Sequence, residues 1–204
     1  MLAGEYPRAQ TAPGAQVPAA ATNEQAWSVS ASVFTYLLAD EGNYAQPTLA
    51  VDRDWLHLEA RYNYEGLQAG SAWSGYNFNF GDTVEWTLTP MFGVVFGDTS
   101  GVAPGYKASL AWRKLDVASE SEYVFDASDS SDSFLYTWSE AGWTPMEWLR
   151  LGLVVQRTKV YQTEFDVQRG FLVGVSFKNA SFTTYVFNPD GSRPTVVLGA
   201  SLGF

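Results

Sequence analysis

The chain has no cysteine and a single histidine, His57. The first absence removes disulfides, thiolate nucleophiles and cysteine-ligated metal centres. The second leaves one imidazole, too few for a typical zinc site. Charge is scarce as well: Lys, Arg, Asp and Glu make up 17% of the 204 residues, against roughly 25% in soluble domains. The formal net charge of −10 leaves no basic stripe for a nucleic-acid backbone. Mean hydropathy is −0.12, and no apolar run reaches the roughly 18 residues of a helical membrane span. Residues 1–5 show neither the basic nor the apolar region of a secretory signal.

What the chain does have is aromatic side chains, 16% of all residues, set in a repeating two-residue alternation. The last ten residues show it plainly. Val196, Leu198, Ala200, Leu202 and Phe204 share one face, while Thr195, Val197, Gly199, Ser201 and Gly203 share the other. Such a period of two is that of a strand with one apolar face. The same pattern recurs from residue 27 onward. In 55–65, Leu56, Leu58, Ala60, Tyr62 and Tyr64 oppose His57, Glu59, Arg61, Asn63 and Glu65; in 72–80, Tyr76, Phe78 and Phe80 oppose Trp73, Gly75, Asn77 and Asn79. The spacing predicts about twelve strands, each near the about 9–11 residues that cross a bilayer at a tilt. Short connections at 53–54, 81–82, 113–114, 144–147 and 178–179 alternate with longer, mostly acidic ones. Residues 1–25 are rich in Ala, Pro and Gln without periodicity, and read as a disordered tail ahead of one domain at 26–204.

The ending resembles the C-terminal assembly signal of bacterial outer-membrane β-barrels, in which a Gly, a hydrophobic residue three positions on and a terminal aromatic recur; Gly199, Leu202 and Phe204 match it. The polar residue usual two positions before the Gly is Val197 here. The resemblance implies an all-β, transmembrane, up-and-down antiparallel barrel in the bacterial outer membrane. Its short turns, both termini and the tail would lie in the periplasm, its long loops outside, and its signal peptide would be missing from this chain. It also implies two partners, outer-membrane lipid and the barrel assembly machinery. The closing strand would pair with residues 27–37, and its small Gly199, Ser201 and Gly203 would leave room in the lumen.

Alternation alone does not say which face is outside. Three features favour a membrane-facing apolar surface. That face is almost free of charge, and the opposite face is rich in Gly, Ser, Thr and Asn, where a soluble barrel would expose Lys and Glu. The aromatics Trp27, Trp55, Trp86, Trp112, Trp143, Trp148, Phe177 and Phe204 gather at the short-turn ends, as a membrane-interface girdle does. Closure would also remove the exposed edges that many strands otherwise leave.

By parity the lumen then receives His57, Glu59, Arg61, Glu65, Glu85, Lys107, Asp116, Glu120, Glu122, Glu140 and Arg150, with Arg113 at its mouth. Acids outnumber bases in this pore-lining set, so it reads as a narrow passive channel for small polar or cationic solutes. The alternative is a closed structural barrel that anchors or joins a larger envelope complex through a protein partner. A third reading, an outer-membrane hydrolase, would need His57 as its base. His57 sits two residues past Trp55, at the periplasmic end, and no Gly-x-Ser-x-Gly elbow occurs. We therefore expect no enzyme, no catalytic residue, no cofactor and no metal. The serine-spaced aspartates of 126–132 lack a glycine for a tight calcium turn and read as a solvated loop. A barrel predicts faster migration of unboiled than of boiled protein on a detergent gel; identical mobility would point to an ordinary soluble fold.

Overall fold

The computed structural model describes residues 27–38, 42–160, 166–191 and 194–204; the tail expected at 1–25 lies outside them. Thirteen strand segments run in chain order: β1 Ser28–Leu37, β2 Tyr44–Arg53, β3 Leu56–Tyr62, β4 Ala69–Tyr76, β5 Phe78–Phe80, β6 Glu85–Gly97, β7 Gly101–Trp112, β8 Leu115–Asp126, β9 Phe134–Met146, β10 Leu149–Val160, β11 Asp166–Phe177, β12 Ala180–Phe187 and β13 Thr195–Gly203. Both β4 and β5 pair with β6, so they form one stave interrupted at Asn77, and the wall has twelve staves. Every neighbouring pair is antiparallel, and all but the closing pair β1 and β13 join consecutive staves.

Closure follows the register set by the two-residue period. Ser30 faces Gly203 and Leu37 faces Val196, and beyond the ladder Phe204 N–H donates to the Val29 carbonyl at 2.8 Å. Hydrogen-bonded ladders thus join every stave to both neighbours, as a hydrocarbon surround demands.

The large apolar side chains point outward. Leu58, Leu88, Phe92, Val94, Leu153, Phe171, Val173, Phe182, Leu198 and Leu202 are all exposed, a belt that only an apolar medium can cover. The eight aromatics of the expected girdle are exposed too, from Trp112 at 40% to Phe177 at 74%, and they flank the short turns or the closing pair. Bases lie over three rings at this end: Arg53 over Trp27 at 5.1 Å, Arg113 over Trp112 at 5.1 Å and Lys178 over Phe177 at 5.4 Å. At the opposite rim Tyr62, Phe96 and Phe125 are exposed.

The inside is not the roomy space that the small face of β13 suggests. Phe34, Tyr36, Trp138, Val154, Leu172, Tyr185, Phe187 and Val197 form a buried apolar cluster, with Tyr44 and Tyr136 packed against it. A side chain at Gly199 would lie 3.3 Å from the Phe34 ring and 3.5 Å from Tyr185. The missing side chain therefore makes room for aromatic rings rather than for solute. A second cluster joins Trp73, Met91, Val95, Ala103 and Val124. Its Trp73 ring lies over Gly93, where a Cβ would come within 2.5 Å of the indole. Gly93→Val is accordingly expected to destabilise the barrel by about 1–3 kcal/mol through overpacking. Urea unfolding in lipid vesicles, followed by tryptophan fluorescence, checks this; an unchanged midpoint would remove Trp73 from the packing role.

Candidate functional site

Inward parity brings charged residues from β2, β3, β7 and β8 onto one side of the lumen, and a fold-back loop completes the set. Asn63 takes a positive φ of 57°. It is pinned there because its amide donates to the Ala45 carbonyl at 3.0 Å, its carbonyl accepts from Gln46 at 2.9 Å and its side-chain oxygen accepts from Gln68 N–H at 2.8 Å. The strand alternation ends at Tyr62. Tyr64, expected on the outer face, instead turns inward: its hydroxyl hydrogen-bonds Glu120, and its ring covers Arg61 at 4.3 Å. The reversal also buries Glu65 beside Ser71 Oγ and Trp73 Nε1, which donate to its Oε1 at 2.6 and 3.1 Å.

Arg61 is the hub. Its Nε donates to Glu59 Oε1 at 2.7 Å, and its Nη1 donates to Glu122 Oε2 at 2.8 Å. Glu65 Oε1 and Glu120 Oε1 each lie 3.7 Å from the same Nη1. The Trp73 ring flanks the guanidinium at 4.7 Å, with Tyr64 also against it. β3 and β8 stand four of twelve staves apart, so the Arg61–Glu122 pair is a chord across part of the lumen. Lys107 makes a second chord, pairing with Glu59 and lying 3.7 Å from Glu120. His57 extends the network towards the short-turn end: Nδ1 meets Asp52 at 2.8 Å and Nε2 meets Glu59 at 3.0 Å. Asn77, the residue that interrupts the fourth stave, donates to Asp52 at 2.7 Å and accepts from Thr89 at 2.6 Å. Burial of this much charge is tolerable only because each group has such partners.

A smaller network sits on β8, β9 and β10. Arg150 forks onto Asp116 through Nε and Nη2 and donates to Glu140 Oε2 from Nη1 at 2.8 Å. Trp138 Nε1 donates to the other Glu140 oxygen at 2.7 Å. A side chain at Gly142 would lie 2.5 Å from both Arg150 Nε and Asp116 Oδ1, so this glycine clears the space for the pair.

Of the twelve residues assigned to the lumen wall, His57, Glu59, Arg61, Glu65, Lys107, Glu120 and Glu122 come together in the first network, and Asp116, Glu140 and Arg150 in the second. The other two join neither. Arg113 does not line the lumen: it occupies the β7–β8 turn with a φ of 55°, exposed and stacked over the outward ring of Trp112. Glu85 begins β6 and is exposed at the short-turn rim. Parity placed Glu85 inside and Arg113 was expected at the mouth, but parity loses meaning at a strand end and at a turn. The sequence reading missed Asp52, Tyr64, Trp73, Trp138 and Tyr136 as lumen groups. Trp73 was already on the inward face by alternation, and that face assignment was the available signal.

Trp138 and its neighbours set the limit of the charged region. Its ring lies 6.1 Å from Phe34 and 5.1 Å from Tyr185, and β9 and β1 stand five staves apart. Tyr136 likewise meets Tyr64 edge-on at 5.6 Å. These contacts draw an aromatic partition across the lumen, with the ion network on one side and the apolar cluster on the other.

The hydrolase reading finds no support in this geometry, because both nitrogens of His57 face carboxylates and neither is turned to a serine hydroxyl. In the loop after β8, Asp126 Oδ1 accepts from the N–H groups of Ser128 and Asp129, and Asp129 Oδ1 accepts from Ser131 N–H and Oγ. Those donors hold the Asp129 carboxyl below its usual range, and the loop's oxygens serve the loop itself. No cluster of acids or histidine suited to a metal ion occurs among the described residues.

No family model and no curated protein matches the chain. Solved structures do. The chain is similar to the KdgM porin, with a TM-score of 0.63 and 13% identity over 86% of this chain and 99% of that one. A KdgM porin in complex with disordered oligogalacturonate aligns with a TM-score of 0.64 and 12% identity, over the same shares. The NanC porin aligns at 0.53 and 11%, over 87% and 99%. The fold is thus that of the bacterial outer-membrane porins.

Removing Arg150 alone would strand Asp116 and Glu140 as buried carboxylates. We expect Arg150→Ala to cost about 3–5 kcal/mol. Adding Asp116→Asn and Glu140→Gln to it should recover most of that loss, because the stranded charges disappear. Vesicle unfolding of the single and triple variants checks this; equal midpoints for the two would mean that charge pairing does not hold this region.

Proposed function

We propose that this chain is a bacterial outer-membrane barrel that acts as a narrow passive channel for small polar or cationic solutes, embedded in outer-membrane lipid and inserted by the barrel assembly machinery. The observation that carries the reading is the charge of the lumen. Seven carboxylates, Asp52, Glu59, Glu65, Asp116, Glu120, Glu122 and Glu140, face three basic side chains, Arg61, Lys107 and Arg150, among the described residues. Each of the three bases is already held in ion pairs, so the remaining field is negative and favours cations.

The loop end adds to that field. Asp98, Asp126, Asp129, Asp132, Asp166 and Asp190 lie there against Arg157, Lys159 and Arg169, whereas the short-turn end is balanced. An acidic mouth raises the local concentration of cations. An oligogalacturonate, the ligand in one of the similar structures, carries carboxylates of its own and would meet repulsion from these acids. The route we favour runs through the charged half, where the Lys107 and Asp52 side chains keep some exposure while those of Arg61, Glu59 and Glu65 keep almost none.

One observation favours a second reading, the closed barrel that anchors an envelope complex. The lumen side chains are nearly all buried, and aromatic contacts bridge the bore from β1 to β9. Planar-bilayer recording separates the two. The channel reading expects small, stable conductance with K⁺ favoured over Cl⁻, and a weaker preference in Glu120→Gln. Absence of conductance would establish the closed barrel, and anion preference would overturn the role given to the lumen acids.

A further inference from the structure

The cage around Arg61 has more acceptors than its occupant uses. Four carboxylates, Glu59, Glu65, Glu120 and Glu122, contact Arg61, and among the described residues their ion pairs draw in one other lysine or arginine, Lys107. Glu65 Oε2 and Glu122 Oε1 are buried and have no hydrogen-bond partner, in residues only 5% and 3% exposed. Buried polar atoms are almost always paired, so two orphaned oxygens in one cage point to a donor that binds there. Each of these glutamates turns its other oxygen to the same Arg61 Nη1, which places both beside the guanidinium.

The walls match the oxygens. The Tyr64 and Trp73 rings cover the guanidinium at 4.3 and 4.7 Å, and aromatic faces combined with carboxylates select cations that both stack and donate hydrogen bonds. Arg61 itself shows what the cage accepts: a planar cation with several N–H donors. It reaches the cage on a flexible stem from β3, while Glu120 and Glu122 belong to β8. Swinging the side chain aside would leave four carboxylates and two rings around an empty centre, and the partly exposed Lys107 marks the side open to solute.

We propose that this cage is the organic-cation site of the lumen, that it takes guanidinium and primary ammonium groups, and that Arg61 is its tethered resident, displaced when a solute cation binds. The proposal rests on the reading of the lumen as a cation route and names the solute class for it. Binding is measured apart from conduction, so that a silent bilayer recording and a failed site remain distinct results.

The experiment uses the full chain refolded in detergent and isothermal titration calorimetry with methylguanidinium, with tetramethylammonium as a cation that lacks N–H donors. Arg61→Gln removes the resident charge while keeping a polar side chain. This variant is expected to bind methylguanidinium saturably and at least tenfold more tightly than the wild type, and to show no saturable heat with tetramethylammonium. Adding Glu122→Gln to Arg61→Gln should weaken binding at least tenfold. Should that double variant fail to fold, Glu65→Gln in the Arg61→Gln background is expected to give the same loss. Absence of saturable binding in Arg61→Gln, equal affinity in Arg61→Gln and wild type, equal response to the two cations, or affinity indifferent to the glutamate changes would each overturn the proposal.

Discussion

When Phe204 and Val29 exchange backbone hydrogen bonds, at 2.8 and 3.3 Å, the first and last strands become neighbours and the wall has no edge left. Closure is the constraint from which the other features follow. A twelve-stave wall that satisfies its own backbone can sit in hydrocarbon, and once it does, each residue has only two choices, lipid or lumen. The outward choice is simple, because any large apolar side chain serves. The inward choice is demanding: twelve staves enclose a bore too narrow for every side chain to remain hydrated and too wide for short ones to fill it. The interior therefore resembles the core of a folded domain more than the wall of an open pipe.

The chain meets that demand in two ways. On one side it uses aromatic and aliphatic packing, with Tyr185, Phe187 and Val197 wholly buried. On the other it uses long charged side chains that reach each other across several staves, as Arg61 does to Glu122. Glycines on the inner face make both possible: Gly199 yields to Phe34, Gly93 to Trp73 and Gly142 to the Arg150–Asp116 pair. Small residues on a barrel's inner face are in this sense complementary to the large ones opposite, and reading them as empty space misjudges the bore.

This also explains what could be read in advance. The period of two reported the strands, the outer belt and the girdle, because each depends on which way successive residues point, while closure entered with the resemblance to outer-membrane barrels. Nine of the twelve residues assigned to the lumen stand within strands, where alternation applies, while Glu65 is buried on the loop after β3 and alternation failed at Glu85, where a strand end suspends it. It failed again at Tyr64, since one positive φ at Asn63 reverses the face. The ion network was beyond its reach. Glu122 and Arg61 are 61 residues apart, and which way a long side chain leans is settled by neighbours that only the closed wall brings near. The partition by Trp138 is of the same kind, a contact between staves far apart in both chain and sheet.

The two halves of the lumen differ in what a mutation there would do. Apolar packing around Phe34, Leu172 and Val197 has no charge of its own to relocate, so changes in it act on stability alone. Within the charged half, a substitution changes the field as well as the packing, because every acid shares its partner with another: Arg61 serves four carboxylates, and Glu59 serves three bases, His57 among them. When Arg61 moves, Glu59 and Glu120 keep Lys107 as a partner, whereas Glu65 and Glu122 depend for ion pairing on Arg61 alone among the described residues. A lumen meant only to be filled could have been filled with more leucine and phenylalanine, as the cluster around Phe34 and Leu172 is. Polar material that is dense and in excess of acid is the feature on which the proposed cation route rests.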